Sequence, residues 1–140
     1  MEIKEVEKEL QSYIRNKRYI ERKQEDLEVL TERINKVTAS YSDMPRGGSS
    51  SREDLIAKKL DLEREMYDYL IELVELKAIV ERTIRAIEQP YRNILDFRYI
   101  EDMSLVEVAV KENYSYRQCK RLLREAYIKY AEKREELWNV

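Results

Sequence analysis

Apolar residues recur every seven positions through the start of the chain: Val6, Tyr13, Ile20, Leu27 and Ile34, joined by Ile3, Leu10, Leu30 and Val37. Seven residues is the period at which a helix keeps one stripe facing a second helix. Residues 2–40 are therefore expected to form one long helix, reaching about 57 Å at a rise of roughly 1.5 Å per residue. Such a helix is unstable alone and needs a partner. Its companion seam positions Lys17, Gln24 and Thr31 are polar, which thins the stripe in its middle.

The stretch 41–52, YSDMPRGGSSSR, is the one clear break. Both glycines of the chain and one of its two prolines fall there, as a connecting loop requires. A phosphate-binding loop needs a different glycine spacing and a Gly-Lys-Ser/Thr ending, so a connector is the better reading. Contact of Arg46 with a DNA backbone is the subsidiary one.

A second long helix is expected over 53–88. Leu55, Leu62, Met66, Tyr69, Leu73, Leu76, Val80 and Ile87 follow steps of three and four residues, with Lys59 and Thr83 as polar members. Two helices of similar length around a short connector should fold back as an antiparallel coiled-coil hairpin. Leu60, Leu70, Val74 and Ile84 lie off that seam, and two helices leave much apolar surface in water. Pairing of hairpins between subunits, most simply as a homodimer, is the expected remedy.

Pro90 marks a joint, because proline suits the first turn of a helix, where its missing N–H has no partner to lose. A short helix to about Ile100 should follow, with Ile94, Leu95 and Phe97 on its core face. Next comes MSLVEVAVKENYSYRQCKRLLREAYIKY, residues 103–130. Ser104 with Glu107, and Ser115 with Gln118, are two capping boxes that each start a helix. Asn113 sits where the chain must reverse, and asparagine tolerates the left-handed conformation of such a turn. On the second helix Cys119, Leu122, Ala126, Tyr127 and Tyr130 should point inward, leaving Arg117, Lys120, Arg121 and Arg124 outside. A basic second helix after a tight turn is the arrangement of a helix-turn-helix that reads DNA in the major groove. The helix should continue through Ala131 and Leu137 to Trp138, which either closes the core or meets another subunit.

Residues 89–130 resemble region four of bacterial sigma factors. The shared frame is a helix ending in Arg98-Tyr99, a short acidic turn, Ser104-Leu105-x-Glu107-Val108-Ala109, and Ser115 before a basic helix. With the charged helices upstream and the Met44–Ser49 loop, the whole chain resembles the RinA- and ArpU-type regulators of late genes in phages and prophages of Gram-positive bacteria. The resemblance implies DNA binding, transcriptional control and residence in a bacterial cytoplasm. One departure concerns the reading code. Promoter-reading sigma factors typically carry, after the capping Ser or Thr, an Arg-Glu pair and a Gln four residues beyond that Glu. Here Tyr116-Arg117 and then Arg121 stand at those places. A cytosine acceptor is replaced by an arginine, which prefers guanine or phosphate, so a standard promoter element is not the expected target.

Charge agrees with a local reader. The chain of 140 residues has a net charge of −2, and 40% of its residues are charged with both signs interleaved. Between Ser115 and Tyr130, five basic residues stand against one acidic residue, a local charge of +4. A basic patch on an acidic body suits a DNA reader. A solvated helix face explains the charge equally well, and the capped two-helix frame tips the balance to DNA.

With no His and a single Cys, zinc fingers, catalytic triads and disulfide frameworks are excluded. Cys119 is expected to be a core thiol. No apolar run approaches the ~18 residues that span a bilayer, so a soluble, intracellular protein is expected, without a membrane, metal or cofactor. No nucleophile–base constellation stands out, so no catalytic residue is assigned and the protein is read as a non-enzyme.

The sequence thus predicts an all-α protein: residues 1–88 as an oligomerising antiparallel coiled-coil hairpin, and residues 89–140 as a helix-turn-helix domain that binds double-stranded DNA. Arg117 and Arg121 are the candidates for base edges. Tyr116, Gln118, Lys120 and Arg124 are assigned to phosphate, sugar or neighbouring bases, and Ser115 to a phosphate at the helix start. Two other readings stand beside it: a DNA-packaging subunit like a phage small terminase, and an RNA polymerase-binding module using Tyr91, Tyr99, Tyr114 and Tyr116.

Overall fold

The computed structural model describes residues 1–40 and 48–138. Among these residues the regular structure is entirely helical. The order is α1 (Ile3–Ser40), α2 (Gly48–Arg85), α3 (Tyr91–Leu95, running on through a wider turn at Asp96–Ile100), α4 (Leu105–Lys111) and α5 (Tyr116–Trp138). In the wider turn the Glu101 N–H reaches back five residues to the Asp96 carbonyl, at 3.0 Å.

The long helices form where the apolar periods place them, with shifted ends on the second. α2 starts at Gly48, inside the stretch read as a connector, while residues 41–47, with Arg46, lie outside the described residues. At its other end α2 stops at Arg85 rather than 88. The Ala86 and Ile87 N–H groups each bond three residues back, to Thr83 and Ile84, at 3.1 Å. That tightened turn ends the helix ahead of Pro90, whose ring disfavours a helical residue before it. Ile87 is past the helix end but still buried.

The chain divides into two compact units, one made of Met1–Arg15 with Leu73 onward, the other of Asn16–Glu72. The first unit holds the larger core. Val6, Leu10, Tyr13 and Ile14 from α1 meet Val80 and Ile84 from α2, Leu95 and Tyr99, and Ala126, Tyr127, Tyr130 and Ala131 from α5. Each aliphatic side chain fully buried there contributes about 1.5–3 kcal/mol. The first four turns of α1, expected to serve only a hairpin, therefore also cover the far half of α5. A second cluster, Ile94, Val108, Ala109, Cys119 and Leu122, joins α3, α4 and α5 to one another. Thr83 is buried without penalty, its hydroxyl donating to the Ile79 carbonyl at 2.6 Å. Trp138 is half-buried, and the Arg82 guanidinium lies 5.2 Å from its ring centre.

In the second unit Ile20 and Leu62 are buried, whereas Leu27, Leu30, Ile34 and Val37 are only half-covered. Tyr19 stacks on Tyr69 at 4.0 Å between ring centres, and Arg52 Nε donates to Thr38 Oγ at 2.9 Å. Leu60, Tyr67, Leu70 and Ile71 of α2 stay exposed.

Candidate nucleic-acid interface

The candidate residues lie at the start of α5, which the end of α4 leads into. α4 is seven residues long, too short to persist without its caps. Ser104 Oγ accepts from the Glu107 N–H at 3.2 Å, and the Glu107 carboxylate accepts from the Ser104 N–H at 3.4 Å, the reciprocal box the sequence predicts. At the other end Asn113 takes a φ of 60°, in the left-handed region. Its N–H donates to the Val110 carbonyl at 3.3 Å, and the Tyr114 N–H to the Ala109 carbonyl at 2.8 Å. This pair of bonds is the Schellman closure, which satisfies two carbonyls left over at a helix end.

Upstream, Arg98 donates to the Met103 carbonyl at 3.2 Å and lies 5.1 Å from the Tyr99 ring centre. The Arg98-Tyr99 pair thus has a structural task, holding the acidic turn 101–103 against the core.

α5 begins immediately after this closure. Ser115 Oγ accepts from the Gln118 N–H at 3.1 Å, and the Ser115 carbonyl accepts from the Cys119 N–H at 2.9 Å. From that cap the helix runs with Cys119, Leu122, Ala126, Tyr127 and Tyr130 inward, as their spacing predicts. Burial pushes the Cys119 thiol above its ordinary range, so it stays protonated and inert.

All seven candidate residues, Ser115, Tyr116, Arg117, Gln118, Lys120, Arg121 and Arg124, are exposed. All but Tyr116 line two neighbouring hollows along α5. Ser115, Arg117, Gln118 and Arg121 line a shallow concavity of about 480 Å³ at the helix start. Lys120 and Arg124 instead line a second cleft of about 490 Å³, with Leu105, Leu123 and Tyr127. Tyr116 lies beside Lys120, whose ammonium is 5.5 Å from its ring centre.

The second cleft contains residues the linear sequence gave no reason to select. Ile3, Lys4 and Glu7 come from the first turns of α1, at the other end of the chain. The heptad count places Val6 and Leu10 inward and so puts Lys4 on another face, but it cannot say what that face lies beside.

Charge is distributed unevenly along α5. Among the described residues no carboxylate pairs with Arg117, Lys120, Arg121 or Arg124. Beyond them, Lys129 meets Glu88 at 3.4 Å, Lys133 meets Glu136 at 3.2 Å, and Arg134 meets Glu9 at 3.0 Å. Among the described residues no group of three His, Cys, Asp or Glu side chains is placed to hold a metal ion. Nor is any described helix long and apolar enough to cross a membrane. No protein-family model, curated protein or solved structure matches the chain.

Proposed function

We propose that the protein is a sequence-specific DNA-binding regulator of phage or prophage genes, which sets the first turns of α5 in a major groove. In this reading α4 and α5 are the two members of a helix-turn-helix, and α1 with α2 is an antiparallel hairpin that pairs two copies. The observation that carries it is the division of charge along α5. Four exposed cations, Arg117, Lys120, Arg121 and Arg124, have no carboxylate partner among the described residues, while Lys129, Lys133 and Arg134 on the same helix are each paired. In a chain with 29 acidic residues, a run of cations left without ion pairs suits a polyanionic partner better than a merely solvated surface.

Local geometry favours the same reading. The Asn113 closure and the Ser115 cap fix where α5 starts, so the side chains of its first two turns leave a rigid base. Arg117 and Arg121, four residues apart beside one concavity, suit guanine edges, which present two acceptors to a bidentate guanidinium. Tyr116, Gln118, Lys120 and Arg124 suit the flanking backbone, and the N–H groups at the Ser115 cap suit a phosphate. The hairpin is favoured by the pairings Tyr19 with Tyr69 and Thr38 with Arg52, in which positions rise along α1 as they fall along α2.

The test is fluorescence anisotropy over a salt series, on fragments from the genomic neighbourhood of the gene, with wild type and an Arg117→Ala/Arg121→Ala double variant. Tight binding to one fragment, weakening steeply with salt and lost in the variant, is the expected result. Equal affinity for all fragments, unchanged in the variant, removes the recognition-helix reading.

One observation favours a second reading. Val106 and Val110 lie one turn apart on α4, and both are exposed. An exposed apolar pair on α4 suits a protein contact such as RNA polymerase. A Val106→Asp/Val110→Asp variant that binds DNA normally but fails to alter transcription with purified polymerase would support that contact.

A further inference from the structure

We propose that Lys4, near the amino terminus, belongs to the same DNA interface as α5 and holds a backbone phosphate of the duplex that α5 reads. The proposal rests on the DNA-binding reading of α5 and extends it to a part of the chain outside the helix-turn-helix.

The cleft of about 490 Å³ brings together three cations, Lys4 from α1 and Lys120 and Arg124 from α5, with Glu7 as the one carboxylate in its lining. Lys120 and Arg124 are one turn apart, and each follows a base-reading candidate by three residues: Lys120 follows Arg117, and Arg124 follows Arg121. The cleft is thus the next strip of the same face of α5, where the strand flanking a groove-bound helix runs. Lys4 is presented from a fixed position, because Val6 and Leu10 on the following turns are fully buried in the core that also holds Tyr127 and Tyr130.

Three cations spread along an open cleft suit successive phosphates of one strand better than a single small anion, which one compact site would hold. Among the described residues no carboxylate lies within ion-pair distance of Lys4, as with Lys120 and Arg124. Glu7 makes the assignment testable in both directions, since it opposes any polyanion entering the cleft. Lys4 is then a non-specific contact: it adds affinity for every duplex and no preference among sequences.

The experiment measures binding of the full chain to a random-sequence duplex and to its best genomic fragment, over a salt series. The variants are Lys4→Ala, Lys4→Glu, Glu7→Gln and, as a control, Lys58→Ala on the exposed surface of α2. Lys4→Ala should reduce the log–log salt slope by about 1 and the affinity about fivefold to tenfold near 0.1 M salt, equally for both duplexes. Lys4→Glu should weaken binding further, Glu7→Gln should strengthen it, and Lys58→Ala should leave it unchanged. If Lys4→Ala and Lys4→Glu match wild type while Arg117→Ala/Arg121→Ala loses binding, the Lys4 assignment fails and the α5 reading stands. If Glu7→Gln binds no more tightly, the phosphate role of the cleft fails in the same way. If wild type binds neither duplex, both fall together.

Discussion

Arg134, near the end of α5, grips Glu9 on α1 with both kinds of guanidinium nitrogen. Its Nε lies 3.1 and 3.2 Å from the two carboxylate oxygens, and its Nη2 lies 3.0 Å from Oε1. The Tyr130 hydroxyl donates to the same carboxylate at 2.6 Å. The side chains of Arg134 and Glu9 are only 17% and 12% exposed, so the pair is largely shielded from water. This contact fastens α5 to the first turns of α1, and with it the cleft in which Lys4 stands.

Removing one member of such a pair leaves the other unpaired and largely shielded from water. Glu9→Ala should cost about 3 kcal/mol, the lower end for a buried pair because some water still reaches it. Replacing both, Glu9→Leu with Arg134→Met, should recover part of that loss, because the buried Tyr130 hydroxyl still lacks its Glu9 acceptor. Urea unfolding of the two variants checks this, and a double variant as unstable as the single one would show the loss was packing rather than charge.

The turn before α5 gives a second prediction. Asn113→Gly should be tolerated, because glycine accepts a φ of 60° at no steric cost. Asn113→Val should lose about 1–2 kcal/mol, since a β-branched residue resists that region. Ser104→Ala should cost about 1 kcal/mol through the lost cap of α4. Thermal melts rank these variants, and Asn113→Val melting level with wild type would contradict the closure described.

Alkaline pH should unfold the protein early. Burial, first, raises the phenols of Tyr99, Tyr127 and Tyr130 above their ordinary value of 10.0; the hydrogen bond with Tyr99 adds to the rise for Tyr127, as that with Glu9 does for Tyr130. The unfolded chain releases these protons from about pH 10 while the folded chain keeps them, so stability falls as pH rises beyond that point. The loss approaches about 1.4 kcal/mol per pH unit for each such phenol. Urea midpoints between pH 8 and 11 measure it, and Tyr127→Phe should flatten the alkaline fall.

The exposed side of α2 predicts self-association. Leu60, Tyr67 and Ile71 are 49%, 63% and 46% exposed and spaced by seven and four residues, the steps at which a neighbouring helix is followed. Leu60→Glu/Ile71→Glu should convert a dimer to a monomer in sedimentation equilibrium. A wild type already monomeric at high concentration would remove the dimer from the proposal.

Much of this molecule is written in local rules. The heptads of α1, the three- and four-residue steps of α2, the Ser104 box, the Asn113 turn and the inward set Cys119, Leu122 and Ala126 each follow from the geometry of a helix, which a short window of sequence contains. The ends of α2 were less legible. Gly48 begins the helix despite its low propensity, and at the far end the bonds of Ala86 and Ile87 to Thr83 and Ile84 stop it three residues early.

What no window contains is which helix faces which. Periodicity fixed that Val6 and Leu10 are buried; only the folded chain decides that they are buried against Tyr127 and Tyr130. Likewise the exposure of Arg117, Lys120, Arg121 and Arg124 follows from spacing on α5. That they divide between two clefts, and that Lys4 shares one of them, depends on contacts between opposite ends of the chain. Helical faces are a property of neighbouring residues, whereas their pairing is chosen by the total apolar surface the whole chain can remove from water.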